Sequence, residues 1–193
     1  MDINIDGDQG DTDDLEKKIV DYIDLFELKA SYGVEYKFNE QLSLFADQEV
    51  AKIVLDSLQF LQKERLITLY AYVFMHDHLH CIMEGNNLSD KLRTFKSYTA
   101  RAIIDYLKET NRTYYLRRLK NGVSKENSEY KVWQEGFHPK QIRTTEMMIQ
   151  KISYIHYNPV KAGFVNREID WRYSSACNYE GLDGLIPICV FNR

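Results

Sequence analysis

The chain has 193 residues, 44% of them hydrophobic and 28% charged, which fits one globular domain with a buried core and at most a small appendage. No run of about 18 apolar residues occurs, which argues against a membrane span, and the acidic start from Asp2 argues against a secretory leader. Three scattered cysteines, Cys81, Cys177 and Cys189, have no metal-type spacing and point to a reducing, cytoplasmic setting. The net charge of -4 speaks against nucleic acid only until the chain is divided. Residues 1–24 hold nine acids against two bases and residues 25–90 ten against five, so residues 91–193 carry about +8. A basic half behind an acidic leader suggests a chain that meets a polyanion, and solvated basic faces of helices are the equal alternative on charge alone.

In chain order, residues 1–30 read as an acidic, partly disordered extension, and residues 31–193 as the working domain. Asp2, Asn4, Asp6, Gly7 and Asp13 fall at calcium-loop positions, but no helix precedes them and the last ligand is the shorter Asp, so a solvated leader is the preferred reading. Leu15 to Lys29 has roughly helical spacing, and Val34 to Phe38 alternates weakly as a strand. Val50, Ile53, Val54, Leu58 and Leu61 predict an amphipathic helix. Leu66 to Met75 is aromatic and β-branched, a buried strand, and His76-Asp77 turns it into a second strand, Leu79 to Met83. A helix over Leu88 to Glu109, capped by Ser89, follows. Arg112 to Glu129 reads as a basic connection and Tyr130 to Phe137 as a short strand. Thr144 or Thr145 then caps a helix that Pro159 ends after Asn158. Strands interleaved with helices imply an α+β fold, an antiparallel sheet with helices on its face.

His78 and His80 stand one residue apart on a predicted strand, so both imidazoles share a face while Leu79 and Cys81 point into the core. Two such imidazoles form half of a divalent-metal site. The bare His-x-His pattern is common, and a polar turn followed by core-tolerated histidines is the alternative. On the helix before Pro159, Met148, Ile149, Ile152 and Ile155 form the core stripe. Gln150, Lys151, Tyr154 and Asn158 gather on the other flank, with Tyr154 and Asn158 one turn apart. His156 falls toward the apolar side as a packing residue. Taken alone, Tyr154 would be an ordinary surface tyrosine.

Several stretches together resemble the HUH single-tyrosine transposases, in particular the REP-associated tyrosine transposase group. They are Tyr70 to Met83 (YAYVFMHDHLHCIM), Phe95 to Ala100 (FKSYTA), Val132 to His138 (VWQEGFH), Tyr154 to Gly163 (YIHYNPVKAG) and Trp171 to Ala176 (WRYSSA). The resemblance covers roughly residues 40–185, and the order of the stretches is more specific than any one of them. It implies a ferredoxin-like or RRM-like HUH nuclease core, with His78 and His80 binding a metal and Tyr154 as nucleophile. Asn158, one turn after the tyrosine, would complete the metal shell. Such enzymes usually carry Pro-Asn where this chain has His76-Asp77, which adds two further ligand types beside the histidines.

The implied activity is a metal-dependent cleavage and rejoining of single-stranded DNA through a 5′-phosphotyrosine at Tyr154. The cofactor would be Mg²⁺ or Mn²⁺, the partner single-stranded or hairpin DNA, and the state a monomer or homodimer. Tyr157 is the reserve nucleophile. Lys151 is placed to meet a phosphate, while Arg93, Lys96 and Arg101, with Arg112, Arg117 and Arg118, could track a DNA backbone. Trp133 and His138 could stack on or read bases. The alternatives are a metal-dependent nuclease using His76, Asp77, His78 and His80 without covalent tyrosine, and a catalytically idle nucleic-acid-binding relative.

Overall fold

Strand β1 (Ser31–Lys37) lies inside a four-stranded antiparallel sheet, paired on one side with β3 (His78–Glu84) and on the other with β4 (Lys140–Ile142). Strand β2 (Thr68–Phe74) adds to the far side of β3, giving the order β2-β3-β1-β4. The computed structural model describes residues 31–39, 42–121, 129–134 and 140–192. The acidic extension, its calcium-loop pattern, the helix expected over Leu15 to Lys29 and His138 lie outside the described residues.

Helix α1 (Gln48–Lys63) connects β1 to β2, and α2 (Leu88–Glu109) follows β3. With the observed strand order this is the β-α-β-β-α-β arrangement of ferredoxin-like sheets. Helix α3 (Thr113–Asn121) is added before β4; α4 (Thr145–Lys161) and the single turn α5 (Ala176–Tyr179) come after it. The fold is α+β, an antiparallel sheet with helices packed on it. Among the described residues no helix is long and apolar enough to cross a membrane.

The two faces of the sheet carry separate cores, and their separation positions the site. Val34, Tyr36, Phe74, Leu79, Cys81 and Met83 pack with α1 and α2 residues such as Val54, Leu58, Phe95 and Ile103. Ala71, Val73, Ile82 and Ile142 pack on the other face with Met148, Ile152 and Ile155 of α4. In β2 the pairing steps from Leu69↔Met83 to Ala71↔Ile82, so Tyr70 is an extra, bulged residue. That is why Leu69 and Tyr72 share one core although they are three residues apart.

Several expected boundaries differ from the observed ones. Helix α2 is preceded by Asn87 in the left-handed region (φ 49°), and Ser89 lies inside the helix rather than capping it. Arg112 to Glu129 is not all connection: Leu119 is fully buried and Tyr115 and Leu116 pack on the same core, so a polar stretch buries one short stripe as α3. Within Tyr130 to Phe137 the described residues show one isolated bridge, Trp133 to Phe38, and the fourth strand is Lys140–Ile142. Pro159 sits in the last turn of α4 instead of ending it. The carbonyl of Ile155, which a proline nitrogen cannot serve, is approached by Asn158 Nδ2 at 3.4 Å.

Candidate active site

The turn that leads into the histidines is built from backbone bonds on three sides. Met75 N–H donates to the His78 carbonyl (2.8 Å), closing a two-residue loop over His76-Asp77. Phe38 N–H donates to the Asp77 carbonyl (3.0 Å) and Phe45 N–H to that of His76 (2.9 Å). His78 and His80 therefore enter β3 from a fixed turn, and alternation sends both onto the α4 face while Leu79 and Cys81 go fully into the opposite core. Their rings meet edge to face at 4.9 Å.

Cross-strand register adds a third group. Glu35 of β1 is the direct partner of His80, and its Oε1 lies 3.6 Å from His80 Nε2. One ligand atom each from Glu35, His78 and His80 fall within 4.8 Å of one another, a set that could hold a metal ion. Two imidazoles and a carboxylate suit a divalent ion that keeps positions open for substrate oxygens. No signal in the sequence marked Glu35, because only the pairing of β1 with β3 brings it to His80.

Asp77 has a different place from the one expected of it. Its Oδ1 lies 2.6 Å from His78 Nδ1, the arrangement in which a carboxylate fixes the imidazole's tautomer and leaves Nε2 for a metal. His76 turns away and stacks on Phe164 at 4.4 Å, outside the cluster. Burial, reinforced by the neighbouring His78 and opposed by Glu35, pushes the His80 imidazole down to about 4. At neutral pH His80 is thus uncharged, its contact with Glu35 is not an ion pair, and it can donate a lone pair to a metal.

Helix α4 brings the tyrosine to this cluster. Thr144 Oγ1 accepts from Met147 N–H (3.2 Å) as its N-cap. Met148, Ile152 and Ile155 bury their side chains on the sheet, leaving Tyr154 49% exposed. The Tyr154 ring lies 6.0 Å from that of His80, and Lys151 Nζ lies 5.8 Å from the Tyr154 ring centroid. Both residues, with Glu35 and His80, line a cleft of about 380 Å³ between the sheet and α4. Tyr157 is 48% exposed on the same helix. Asn158 folds back on α4, its Nδ2 donating to the Tyr154 carbonyl at 2.7 Å, which leaves Oδ1 outside that bond. His156 is buried and meets Ser175 Oγ at 2.9 Å, the packing position expected for it.

The other expected DNA contacts are not brought to this cleft. Trp133 is 5% exposed, stacks on Phe38 at 4.6 Å and donates Nε1–H to Thr99 Oγ1, so it is core and cannot stack on a base. Arg93, Lys96 and Arg101 belong to α2, which packs on the opposite face of the sheet from Tyr154. Arg93 pairs with Asp90 (3.0 Å), and Lys96 Nζ donates to the Gln134 carbonyl (2.9 Å). Arg112, at the start of α3, pairs with Asp47 (3.4 Å).

No family model matches the chain. It is 33% identical over 108 residues to a provisionally named REP-associated tyrosine transposase of Haemophilus influenzae, and 28% identical over 131 residues to the REP-associated tyrosine transposase of Escherichia coli K12. These matches cover 54% and 66% of the chain, and the chain spans 56% and 64% of the two relatives. A solved structure of a REP-associated tyrosine transposase bound to a REP hairpin superposes with a TM-score of 0.59 at 21% identity, covering 86% of this chain and 87% of that one. The resemblance carried by the sequence motifs is borne out in these relatives, and the fold in the solved structure.

Proposed function

We propose that this chain, a relative of REP-associated tyrosine transposases, is a metal-dependent single-stranded DNA endonuclease and strand transferase that works through Tyr154. The observation that carries the reading is the cluster of Glu35, His78 and His80 with the Tyr154 ring 6.0 Å from that of His80, beside a cleft that Glu35, His80 and Tyr154 line. His78 and His80 would hold Mg²⁺ or Mn²⁺, with Glu35 and Asn158 Oδ1 as oxygen donors. Such an ion, when bound, supplies Lewis-acid stabilisation to a phosphate, and the mixed nitrogen and oxygen donors suit Mn²⁺ as well as Mg²⁺.

The residues of the chain divide the remaining work. Tyr154 presents its phenol at the exposed mouth of the cleft, and Lys151 places an ammonium beside the ring to meet a phosphate oxygen. Asp77 holds His78 in one tautomer. The Tyr154 oxygen forms a bond to phosphorus as the bond to the 3′ oxygen breaks. The phenol proton is released and the 3′ oxygen leaves as a hydroxyl, so the 5′ end stays on the tyrosine. Attack by a second strand's 3′-hydroxyl reverses the bond changes and joins the strands. The hairpin carried by the solved relative suggests folded single strands as the substrate class.

The test is adduct formation by the full chain on hairpin-flanked single-stranded DNA with Mn²⁺, read as a denaturation-stable protein–DNA band. Wild type should form the band and Tyr154→Phe should lose it while still binding DNA. A band that persists in Tyr154→Phe and disappears in Tyr157→Phe moves the nucleophile to Tyr157. Cleavage with no adduct in wild type replaces the proposal with a nuclease that uses the metal cluster alone.

A further inference from the structure

Gly33 has no local reason to be glycine. It sits in the middle of β1, paired with Ile82 on one side and Lys140 on the other, where a glycine weakens the strand relative to alanine. Among the described residues the left-handed glycines are Gly163 and Gly181, not Gly33. The β1–β3 register runs through it without a shift, so no bulge explains it. A Cβ built there would meet nothing nearer than the Lys140 carbonyl oxygen at 3.9 Å, an ordinary contact. The missing side chain therefore matters only above the sheet, where Gly33 leaves open the floor of the 380 Å³ cleft.

The walls of that opening state what it would accept. Gly33 is two residues from Glu35 on the same strand face, so the floor adjoins the metal cluster. Ile142, Met147 and Ile155 contribute apolar walls to the cleft. Lys140 shares the face as the cross-strand partner of Gly33, and Lys151 reaches over from α4. Among the described residues neither lysine is paired with an acid. A bare floor, apolar walls and two cations fit a ligand with a flat apolar face and an anionic linkage, and the volume lies within the ~300–1,000 Å³ range of small-ligand pockets.

We propose that the Gly33 floor is a base-binding subsite for a nucleotide flanking the phosphate presented to Tyr154, with Lys140 and Lys151 against its phosphodiester. This rests on the proposed single-stranded DNA chemistry and adds residues that select how the strand lies. A larger side chain at position 33 would occupy the place of the base and leave Glu35, His78 and His80 untouched.

The experiment measures equilibrium binding of fluorescent hairpin-flanked oligonucleotides to the full-length Tyr154→Phe chain, so that it does not depend on chemistry. Adding Gly33→Leu should weaken binding of intact DNA about tenfold or more. The same chain should keep its Mn²⁺ affinity by titration calorimetry and its thermal midpoint. An oligonucleotide with one abasic site should restore binding of Gly33→Leu at one flanking position only, because the bulk then fills the space the base has left. Should Gly33→Leu not fold, Gly33→Ala, whose Cβ the backbone accommodates, should show the same position-specific rescue with a smaller loss. Lys140→Met should reduce the slope of log affinity against log salt by about 0.7. Unchanged binding by Gly33→Leu, or a loss that no abasic position relieves, overturns the subsite. Absence of adduct in wild type with the rescue intact overturns the covalent chemistry and leaves the subsite standing.

Discussion

Asp77 and Glu35 show how single residues turn two histidines into a candidate metal site. The Asp77 carboxylate, 2.6 Å from His78 Nδ1, orients a ring that would otherwise choose between tautomers. Asp77→Asn should lower Mn²⁺ affinity about 10–100-fold in titration calorimetry, with the thermal midpoint little changed. Glu35→Gln keeps the shape of the third group and removes its charge, so it too should weaken Mn²⁺ binding in the same titration. An unchanged affinity would mark Glu35 as a surface acid, paired with Lys37 at 3.2 Å, and not a ligand. His-x-His was legible because alternation along one strand is local. Glu35 was not, because it reaches His80 only through the pairing of strands more than forty residues apart.

At the scale of elements, α4 is the part that carries Tyr154, the proposed nucleophile, and its two ends are built differently. Its start depends on Thr144, and Thr144→Ala should cost about 1 kcal/mol, read as a shift in the urea midpoint at unchanged slope. Its end carries Pro159 inside the last turn, with the Asn158 amide against the carbonyls of Tyr154 and Ile155. Proline as a helix stop failed here because one lost N–H near a C-terminus removes little and a side chain covers it. Helix α3 was missed for the opposite reason: its apolar stripe is one turn long and surrounded by charge, and only the core beside it makes Leu119 a buried residue.

Across the whole molecule, His156 ties three parts of the chain together. Its Nε2 is 2.9 Å from Ser175 Oγ, and Ser175 Oγ in turn accepts from Tyr72 N–H at 2.9 Å, joining α4, the C-terminal segment and β2. Burial pushes the His156 imidazole down to about 4, against an unfolded value of about 6.5. Between these values the unfolded chain binds the proton and the folded chain does not, so stability is complete above about pH 6.5 and falls as pH drops toward 4. The loss from His156 alone is on the order of 3 kcal/mol. His156→Gln should flatten that limb of stability against pH, measured by urea unfolding at pH 4.5 and 7; an unchanged limb would place the titration elsewhere. His80, lowered in the same direction, adds to the wild-type slope and remains in the variant.

Periodicity alone determined that this chain is α+β, that His78 and His80 share a strand face, and that Tyr154 lies on the flank of α4 away from its buried stripe. Each of these is a local property of neighbouring residues, set by the 2.0 and 3.6 repeats. The motif order added the likeness to REP-associated tyrosine transposases. Only the tertiary structure decided that Trp133 is core, that α2 and its basic residues lie behind the sheet, and that Glu35 and Gly33 sit in the cleft with Tyr154. Those outcomes depend on register and on which face of the sheet each helix covers, and both are fixed by contacts between segments far apart in the chain.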